Sequence, residues 1–521
     1  MENPVVQKKI TPELEANKIA DSLLLPDDYI SDWQEKGLEK QAESYEAVTR
    51  ICRAIQDAGG RALLVGGAVR DLLLSKEVKD FDIEVFGVEA EKLEDILRPF
   101  GKVMTVGKSF GVLKVSINRT IDIDVSLPRR DSKKGSRHAD FSVATDPFMA
   151  ISEAARRRDF TINAILADPL TGKIVDPFHG VDDLKSKTLR VVDEDTFVDD
   201  PLRVLRAMQF VGRFELVVDE HSRRLMTSMA DSLKHLSKER VYEEWRKLLL
   251  KSEHPSLGLQ AGMDLGVFEK LHPEFVSLAE TAQDPIKHPE GNVWEHTKLA
   301  VDEMSYVARR EKLVEQEMWP LMLAALCHDL GKSTTTEEKD GKIIAHGHEV
   351  ASVGLAKNFL DDIRVDRETA ARVLPLVQHH MRPMYLYKEM LQKREIKDSV
   401  FRRLAQDLVP ASIRDLALLS EADKLAVLKA DQKKIQEVSE WLIAKAKEIG
   451  VDRKVAAELM TGKDFLDMGF TPGPEIGKLI QLSSQLRDAR GFSREDIIQN
   501  LFSVKTSIDA IEVLEKLLRQ D

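Results

Sequence analysis

Asp80, Asp82 and Glu84 occupy every second position of a short run, interleaved with Phe81, Ile83 and Val85. A period of two puts the acids on one face of a strand and the apolar residues on the other. Like charges this close repel unless a cation lies between them. Two divalent metals would supply that charge, activate a hydroxyl and hold a triphosphate. A second alternating run, 121–125, offers Asp122 and Asp124 as further carboxylates. Upstream, Gly66 and Gly67 allow a ligand close to the backbone, because neither has a side chain in the way. The helix beginning at Ala68 can hold phosphate on its N-terminal N–H groups, and Arg70 in its first turn can pair with one bidentately. DFDIE alone also fits an ordinary half-buried strand with a solvated face. The two glycines, Arg70 and the second acidic strand weigh against that.

Two further clusters follow. Arg156, Arg157 and Arg158 precede Asp159, Phe160, Thr161, Ile162, Asn163 and Ala164. Three consecutive arginines cannot all face one partner, so at least one is expected to be a surface charge. Asp199-Asp200-Pro201 then opens a helix carrying Arg203 and Arg206. Proline suits the first helical turn and the aspartates suit its positive end. Asp200, Arg203 and Arg206 step by three and share a face, which fits either a cap with an intrahelical ion pair or a binding surface. The binding alternative has a definite chemistry. Cytosine and adenine both present an amino donor beside a ring-nitrogen acceptor. An aspartate accepts from the first while an arginine donates to the second. Guanine and uracil present the reverse pattern, and the mismatch in a closed site is worth about a hundredfold discrimination or more. Asp200 with Arg203 can therefore select C and A without a nucleic-acid template.

In the second half, His296, the adjacent pair His328-Asp329, and Asp423 fall in separate helical patterns. Histidine and aspartate suit a divalent transition metal whose open positions activate water. His346, His348, His379 and His380 offer ligands for a second ion.

The elements that must position these groups read as an α+β chain. Apolar periodicity predicts a helix over 44–58, strands over 61–65, 81–86, 113–117 and 121–125, and an almost wholly helical chain after about Phe197. The expected division is a helical extension 1–45, a mixed α/β head 46–170, a helical neck and body 171–290, a metal-binding helical domain 291–430 and a helical tail 431–521. Residues 284–289 read as a linker. With 521 residues, 43% hydrophobic and 32% charged, the chain is long enough for several cores. Its formal net charge of −12 restricts any nucleic-acid contact to a local basic patch. Two widely spaced cysteines, Cys52 and Cys327, rule out a disulfide framework and favour a reducing compartment. The N-terminal residues lack a signal-peptide core and no apolar stretch is long enough for a bilayer, so a cytoplasmic protein without membrane attachment is expected.

The segment LLVGGAVRDLLLSKEVKDFDIEVFG, residues 63–87, resembles the head signature of the class II tRNA nucleotidyltransferase and bacterial poly(A) polymerase superfamily, matched at Gly66, Gly67, Val69, Arg70, Asp71, Asp80 and Asp82. The resemblance implies that Asp80 and Asp82 bind magnesium, with Asp124 as a third acidic residue, and that Gly67 and Arg70 contact the nucleotide. RRDFTINA is matched by residues 157–164, which implies that Arg158 and Asp159 touch the nucleotide's sugar or phosphates. Residues 199–203 resemble the family's Glu-Asp-x-x-Arg motif, which implies base reading by Asp200 and Arg203 with Arg206 nearby; this chain has Asp199 where glutamate is usual. NVWEHT, LCHDLGK, HGHE and SEADKLA are similar to the HD phosphohydrolase superfamily, implying phosphatase or cyclic-phosphodiesterase activity on nucleotide or RNA ends through His296, His328, Asp329 and Asp423. Residues 461–478 also resemble such proteins. The implied reaction adds C and/or A to tRNA 3′ ends from CTP and ATP. The competing readings are a poly(A) polymerase, a stand-alone HD hydrolase with a degenerate head, and a non-catalytic RNA-binding protein. Intact Arg70, Asp80, Asp82, Arg158, Asp200 and Arg203 disfavour a degenerate head. Two complete metal constellations and the acidic net charge disfavour a mere RNA binder.

Overall fold

The computed structural model describes residues 39–519, apart from 79, 107–111, 119–120, 134–140 and 429–430. The expected extension 1–45 thus lies largely outside the described residues, and 39–45 open the first helix. The chain divides into two compact units between Leu233 and Lys234.

The first unit is built on one seven-stranded sheet. Helix α1 (Glu39–Asp57) leads to β1 (Arg61–Val65), α2 (Gly67–Leu73), β2 (Phe81–Phe86), α3 (Ala90–Leu97), β3 (Lys102–Val106), β4 (Val112–Ile117) and β5 (Ile121–Ser126). A separate antiparallel pair, β6 (Arg129–Lys133) and β7 (Phe141–Thr145), precedes α4 (Ile151–Arg156), and β8 (Leu166–Ala167) and β9 (Ile174–Val175) return to the main sheet. The strand order is β3-β4-β5-β2-β1-β8-β9. Within this sheet, among the described residues, β2 and β5 pair in parallel and the other neighbours pair antiparallel. The alternation in β2 and β5 sorts their side chains as expected. Ile83, Val85, Ile123 and Val125 join Ile51, Ile55 and Leu64 in the core under α1. The opposite face of β1, with Leu63 and Val65, packs against Ala154 and Ala155 of α4. The acids of β2 and β5 lie on this second face.

Beyond the sheet come α5 (Gly180–Lys185), β10 (Thr188–Leu189), the one-turn α6 (Glu194–Phe197), α7 (Leu202–Phe214), β11 (Val217–Val218) and α8 (Glu220–Ser228). A 3₁₀ turn at Thr161–Asn163 connects the arginine cluster to this region. It is pinned to α5: Thr161 Oγ1 donates to Asp183 at 2.7 Å, and Asp176 caps the N–H groups of Gly180 and Val181 at 2.8 and 2.9 Å.

The second unit is helical, with α9 (Lys238–Lys251), α10 (Pro255–Asp264), α11 (Val293–Arg310), α12 (Glu315–Cys327), α13 (His348–Asp362), α14 (Arg367–His379), α15 (Ile413–Leu425), α16 (Gln432–Glu448), α17 (Pro474–Arg490) and α18 (Ser507–Arg519) as its longer helices. Helix α11 packs on α12 and α15, while α14 packs on α12 and α13. The tail has its own core around Phe465, Leu479, Leu486 and Leu514. The chain after Phe197 is almost wholly helical as expected; among the described residues of the second unit the departure is a hairpin of β12 (Thr336–Lys339) and β13 (Lys342–Ala345). Its turn residues Asp340 and Gly341 both have positive φ, 53° and 70°. Asp-Gly is the preferred two-residue turn because its twist matches that of the strands. The signal was present in the sequence.

Among the described glycines of the first unit, Gly180 is the tightest fit. A Cβ there would stand 2.1 Å from the carbonyl oxygen of Thr161. Gly180→Ala must therefore push α5 off the 3₁₀ turn. We expect a loss of about 2 kcal/mol or more, typical of overpacking against backbone, read as a lower midpoint in urea denaturation.

Candidate active sites

In the head, parallel pairing of β2 with β5 sets Asp82 directly opposite Asp124. Asp80 is exposed just before β2, while Asp82 and Asp124 are half-buried. Asp124 Oδ1 is buried without a hydrogen bond among the described residues, and Lys114 Nζ lies 3.6 Å from it. Burial and then the Asp124 charge push the Asp82 carboxyl up to about 6, against a partial pull downward from Arg158. A pair of facing acids with an orphaned buried oxygen fits a divalent cation. Asp122 is more exposed than this pair and accepts from Ser116 Oγ at 2.6 Å, with Lys114 Nζ 3.9 Å from its other oxygen.

Glu84 does not belong to an open carboxylate row. It is fully buried and accepts from Arg157 Nη2 at 2.8 Å and Arg158 Nη2 at 3.3 Å. The arginines thus use one carboxylate to anchor themselves over β2. Nη1 of Arg158 comes within 3.1 Å of where a Cβ on Gly66 would be. Gly66 has φ +67°, which also favours glycine. Gly67 is the first residue of α2. The Gly-Gly turn, Arg158 and Asp82 therefore converge.

Asp159 is buried and anchors the cluster from the other side. It accepts from Arg206 Nε at 2.6 Å, Asn163 Nδ2 at 2.9 Å and the Phe160 N–H at 2.8 Å. Burial by itself would raise its pKa, but Arg206 and the two other donors outweigh that and hold it below the usual carboxylate range. Arg70 lies inside this network rather than in an open cleft. It is 4% exposed, donates to Asn163 Oδ1 at 2.5 Å and to Asp71 at 2.8 and 2.9 Å, and lies over the Phe214 ring. Arg203 donates to the carbonyls of Thr196 and Arg157 at 2.9 and 2.8 Å. Asp200 accepts from the Leu202 N–H at 3.2 Å. Arg203 and Arg206 thereby dock the third motif on the second.

The second unit gathers its sequence-expected ligands from three helices. His296 lies on α11, His328-Asp329 directly follows α12, and Asp423 lies on α15. All four are buried. His296 Nε2 is 3.1 Å from Asp423 Oδ1 and 3.7 Å from Asp329 Oδ2, and His328 Nε2 is 3.2 Å from Asp329 Oδ2. His348 and His380 join them. Their Nε2 atoms are 3.3 and 3.9 Å from Asp329 Oδ1 and 3.3 Å from each other. His346 only lines the adjoining cavity, and His379 lies outside the cluster. Every imidazole in the cluster has its Nδ1 occupied: His328 by Ala325 O, His348 by Ala345 O, His380 by Val377 O, and His296 by Glu290, at 2.7–2.9 Å. Each ring therefore turns Nε2 inward toward the aspartates or a neighbouring imidazole, and would offer a lone pair to a metal as the neutral Nδ1–H tautomer. His328 Nε2 and Asp329 Oδ1 are buried without a hydrogen bond. The donor set and these orphaned atoms fit a divalent transition metal. Two groups of three ligands, His296-His328-Asp329 and Asp329-His348-His380, share Asp329.

The expected linker 284–289 is part of this site. His288 Nδ1 meets the same Glu290 oxygen as His296 does, at 2.8 Å. Burial raises the Glu290 carboxyl, but the two imidazoles outweigh it and bring it down to about 2. A cavity of ≈ 220 Å³ opens beside the cluster, lined by His288, Lys287, Lys332, Lys424, Ile344 and Tyr385 among others. Lys332 is 2.7 Å from Asp329 and Lys424 is 2.8 Å from Asp423. The sequence reading passed over Lys114, His288, Glu290 and Lys424, and it placed Glu84 in the row of carboxylates without the arginine-anchoring role it has here.

The family model of the poly A polymerase head domain matches residues 62–190. That of the probable RNA and SrmB-binding site of polymerase A matches 216–278, and that of the HD domain matches 293–427. The class is thus a nucleotidyltransferase head followed by an HD domain. The multifunctional CCA protein of Methylobacillus flagellatus is 34% identical over 371 residues, covering 70% of this chain and 83% of that one. The multifunctional CCA protein of Xanthomonas campestris is 31% identical over 426 residues, covering 80% and 95%. This chain belongs to the multifunctional CCA protein family. The fold is shared with the Bacillus stearothermophilus CCA-adding enzyme solved with CTP, at TM-score 0.59 and 18% identity over 91% of this chain and 99% of that one. It is also shared with the Thermotoga maritima CCA-adding enzyme solved with tRNA, at TM-score 0.54 and 19% identity over 90% and 93%. Among the described residues no helix is long and apolar enough to cross a membrane.

The raised Asp82 carboxyl gives a direct check. A folded-state pKa of about 6 against an ordinary 3.8 means that its contribution to stability is fully present below pH 3.8 and lost as pH rises through 6. Asp124→Asn removes the second-largest cause of the rise. In protein free of divalent ions, carboxyl-carbon NMR should then show Asp82 titrating at lower pH than in the wild type.

Proposed function

We propose that this protein adds C and A to tRNA 3′ ends from CTP and ATP without a nucleic-acid template, and that its second unit hydrolyses phosphate esters at nucleotide or RNA ends. The observation that carries the first activity is the convergence of Asp82, Asp124 and Arg158 at the Gly66-Gly67 turn. Asp80, Asp82 and Asp124 would hold magnesium, which supplies charge neutralisation for a triphosphate and a lowered pKa for the attacking hydroxyl. Arg158, aimed by Glu84, binds the triphosphate, and Gly67 presents the N-terminus of α2 to it. Asp159, fixed by Arg206, meets the ribose. Arg70 acts as a positioning residue, because its guanidinium holds Asn163 and through it Asp159. Asp200 accepts from the base amino group and Arg203 donates to the ring nitrogen. Support comes from relatives named multifunctional CCA proteins and from CCA-adding enzymes solved with CTP, ATP and tRNA.

For the second activity, His296, His328, Asp329 and Asp423 would hold a divalent transition metal, which supplies an activated water for attack on phosphorus. Lys287, Lys332 and Lys424 line the cavity and attract the phosphate to it. His348 and His380 are suited to a second ion. We divide the work among a head 46–170, a neck and body 171–290 with the base-selecting motif, an HD domain 291–430 and a tail 431–521. Cys52 and Cys327, free and buried, are consistent with a reducing cytoplasm.

Transcripts of tRNA lacking CCA, CA or A, incubated with all four nucleotides and sequenced at their 3′ ends, separate CCA addition from CC addition, A addition or a poly(A) tail. The Asp80→Ala, Asp82→Ala double variant should lose at least about a thousandfold in incorporation, on the scale of losing electrostatic stabilisation of a transition state, while keeping phosphodiesterase activity. Near-normal incorporation by this variant would remove the assignment.

The reciprocal experiment uses His328→Ala with Asp329→Ala. We expect it to lose bound metal and hydrolysis of a 2′,3′-cyclic nucleotide yet extend tRNA at the wild-type rate. A wild type that binds neither manganese, nickel, iron nor zinc and cleaves no cyclic nucleotide would refute the second activity.

A further inference from the structure

Arg203 is aimed by main chain on two sides. Its Nη1 donates to Thr196 O and its Nη2 to Arg157 O. A guanidinium is planar, so two acceptors on different elements fix its plane as well as its position. Two of five N–H donors are used in this way, which leaves three for another partner. One acceptor belongs to the one-turn helix α6, the other to the turn after α4.

A helix of one turn does not hold itself together, because nucleation costs more than a single turn of hydrogen bonds returns. Helix α6 is held from outside. Asp193 is its N-cap and accepts from the Thr196 N–H at 3.1 Å. Thr196 Oγ1 donates to Arg156 O at 3.3 Å, and the Arg156 guanidinium lies 3.5 Å from Asp193. Phe197 packs edge-on against Phe160, with ring centroids 5.6 Å apart, and its own ring lies under Arg203. The three consecutive arginines thus have three different tasks. Arg156 steadies the cap of α6. Arg157 gives its carbonyl to Arg203 and its side chain to Glu84. Arg158 faces the Gly66 turn.

We propose that α6 is the positioning element for base selection, and that Asp193, through its cap on Thr196, is a specificity-determining residue. This rests on the reading of Arg203 as a base reader. Loss of the cap frees Thr196 O, and Arg203 then keeps only the Arg157 carbonyl. A guanidinium held at one point pivots and donates to a carbonyl of guanine or uracil as readily as to a ring nitrogen. The consequence is a loss of discrimination more than a loss of rate.

The test uses the full chain and tRNA transcripts lacking the 3′ end, with kcat/KM measured separately for CTP, ATP, GTP and UTP. Asp193→Ala should raise the ratio for GTP and UTP relative to CTP and ATP about tenfold. Asp193→Asn keeps a cap acceptor and should stay near the wild-type ratio. Partial unfolding lowers all four values together and leaves the ratio unmoved, so a stability defect does not imitate the effect. Wild-type discrimination in Asp193→Ala, or equal loss in Asp193→Ala and Asp193→Asn, overturns the proposal. Arg203→Ala is the control for the underlying reading. If that variant keeps its selectivity, base reading by Arg203 fails; if it loses selectivity while Asp193→Ala does not, only the role of α6 fails.

Discussion

Glu84 is a carboxylate without access to water, and the head is organised around that fact. An ionised group so placed is tolerated only when it is paired, because a buried charge without a partner costs several kcal/mol (about 3–5 when one partner is removed). Its partners are Arg157 and Arg158, more than seventy residues further along the chain. That pairing lays the arginine cluster across β2 and brings Arg158 to the Gly66 turn. The other links extend from it. Arg157 O holds Arg203, Asp159 holds Arg206, and Asn163 joins Arg70 to Asp159. Three motifs distant in sequence become one rigid frame. Its charges are largely spent on each other, and the carboxylates left facing one another are Asp82 and Asp124.

The second unit solves a related problem with imidazoles. Four histidines converge on two buried aspartates, and each has its Nδ1 tied to an acceptor outside the cluster. Three of those acceptors are carbonyls three residues earlier in the chain, so the end of a helix or strand sets the ring. His296 is the exception and depends on the Glu290 carboxylate. Fixing Nδ1 fixes the tautomer, and the tautomer decides whether Nε2 can bind a metal. Asp329 and Asp423 are correspondingly held well below the usual carboxylate range. Burial opposes this, but His328 with Lys332, and Lys424 with His296, outweigh it. The same lysines border the cavity, so the charges that keep the two aspartates ionised also make its mouth electropositive.

Much of this was legible along the chain wherever the determining interaction is local. Alternation in DFDIE and IDIDV specified strands with an acidic face. The Gly-Gly turn specified a backbone without side chains beside β2, and the adjacent His-Asp pair marked the buried cluster of histidines and aspartates. Misreadings arose where a local pattern has more than one use. Glu84 fits the alternation as well as Asp82 does, yet it anchors arginines. Arg70 stands in a first helical turn, where a phosphate contact is natural, yet its side chain is buried against Asp71 and Asn163. Residues 284–289 have the composition of a linker, yet they carry His288 into the site.

The sequence by itself determined residue types, periodicity and faces, because these follow from geometry over a few neighbouring residues. It also determined the class, through contiguous motifs whose order along the chain is specific. Only the tertiary structure decided which charges face each other. The register that sets Asp82 against Asp124, the burial of Glu84 and the grip of two carbonyls on Arg203 all join separate segments. Arg70 meets Asn163 across 93 residues and His296 meets Asp423 across 127. Whether a carboxylate binds a cation or anchors an arginine depends on what the fold brings beside it and how much water it excludes, and neither is encoded within reach of the residue itself.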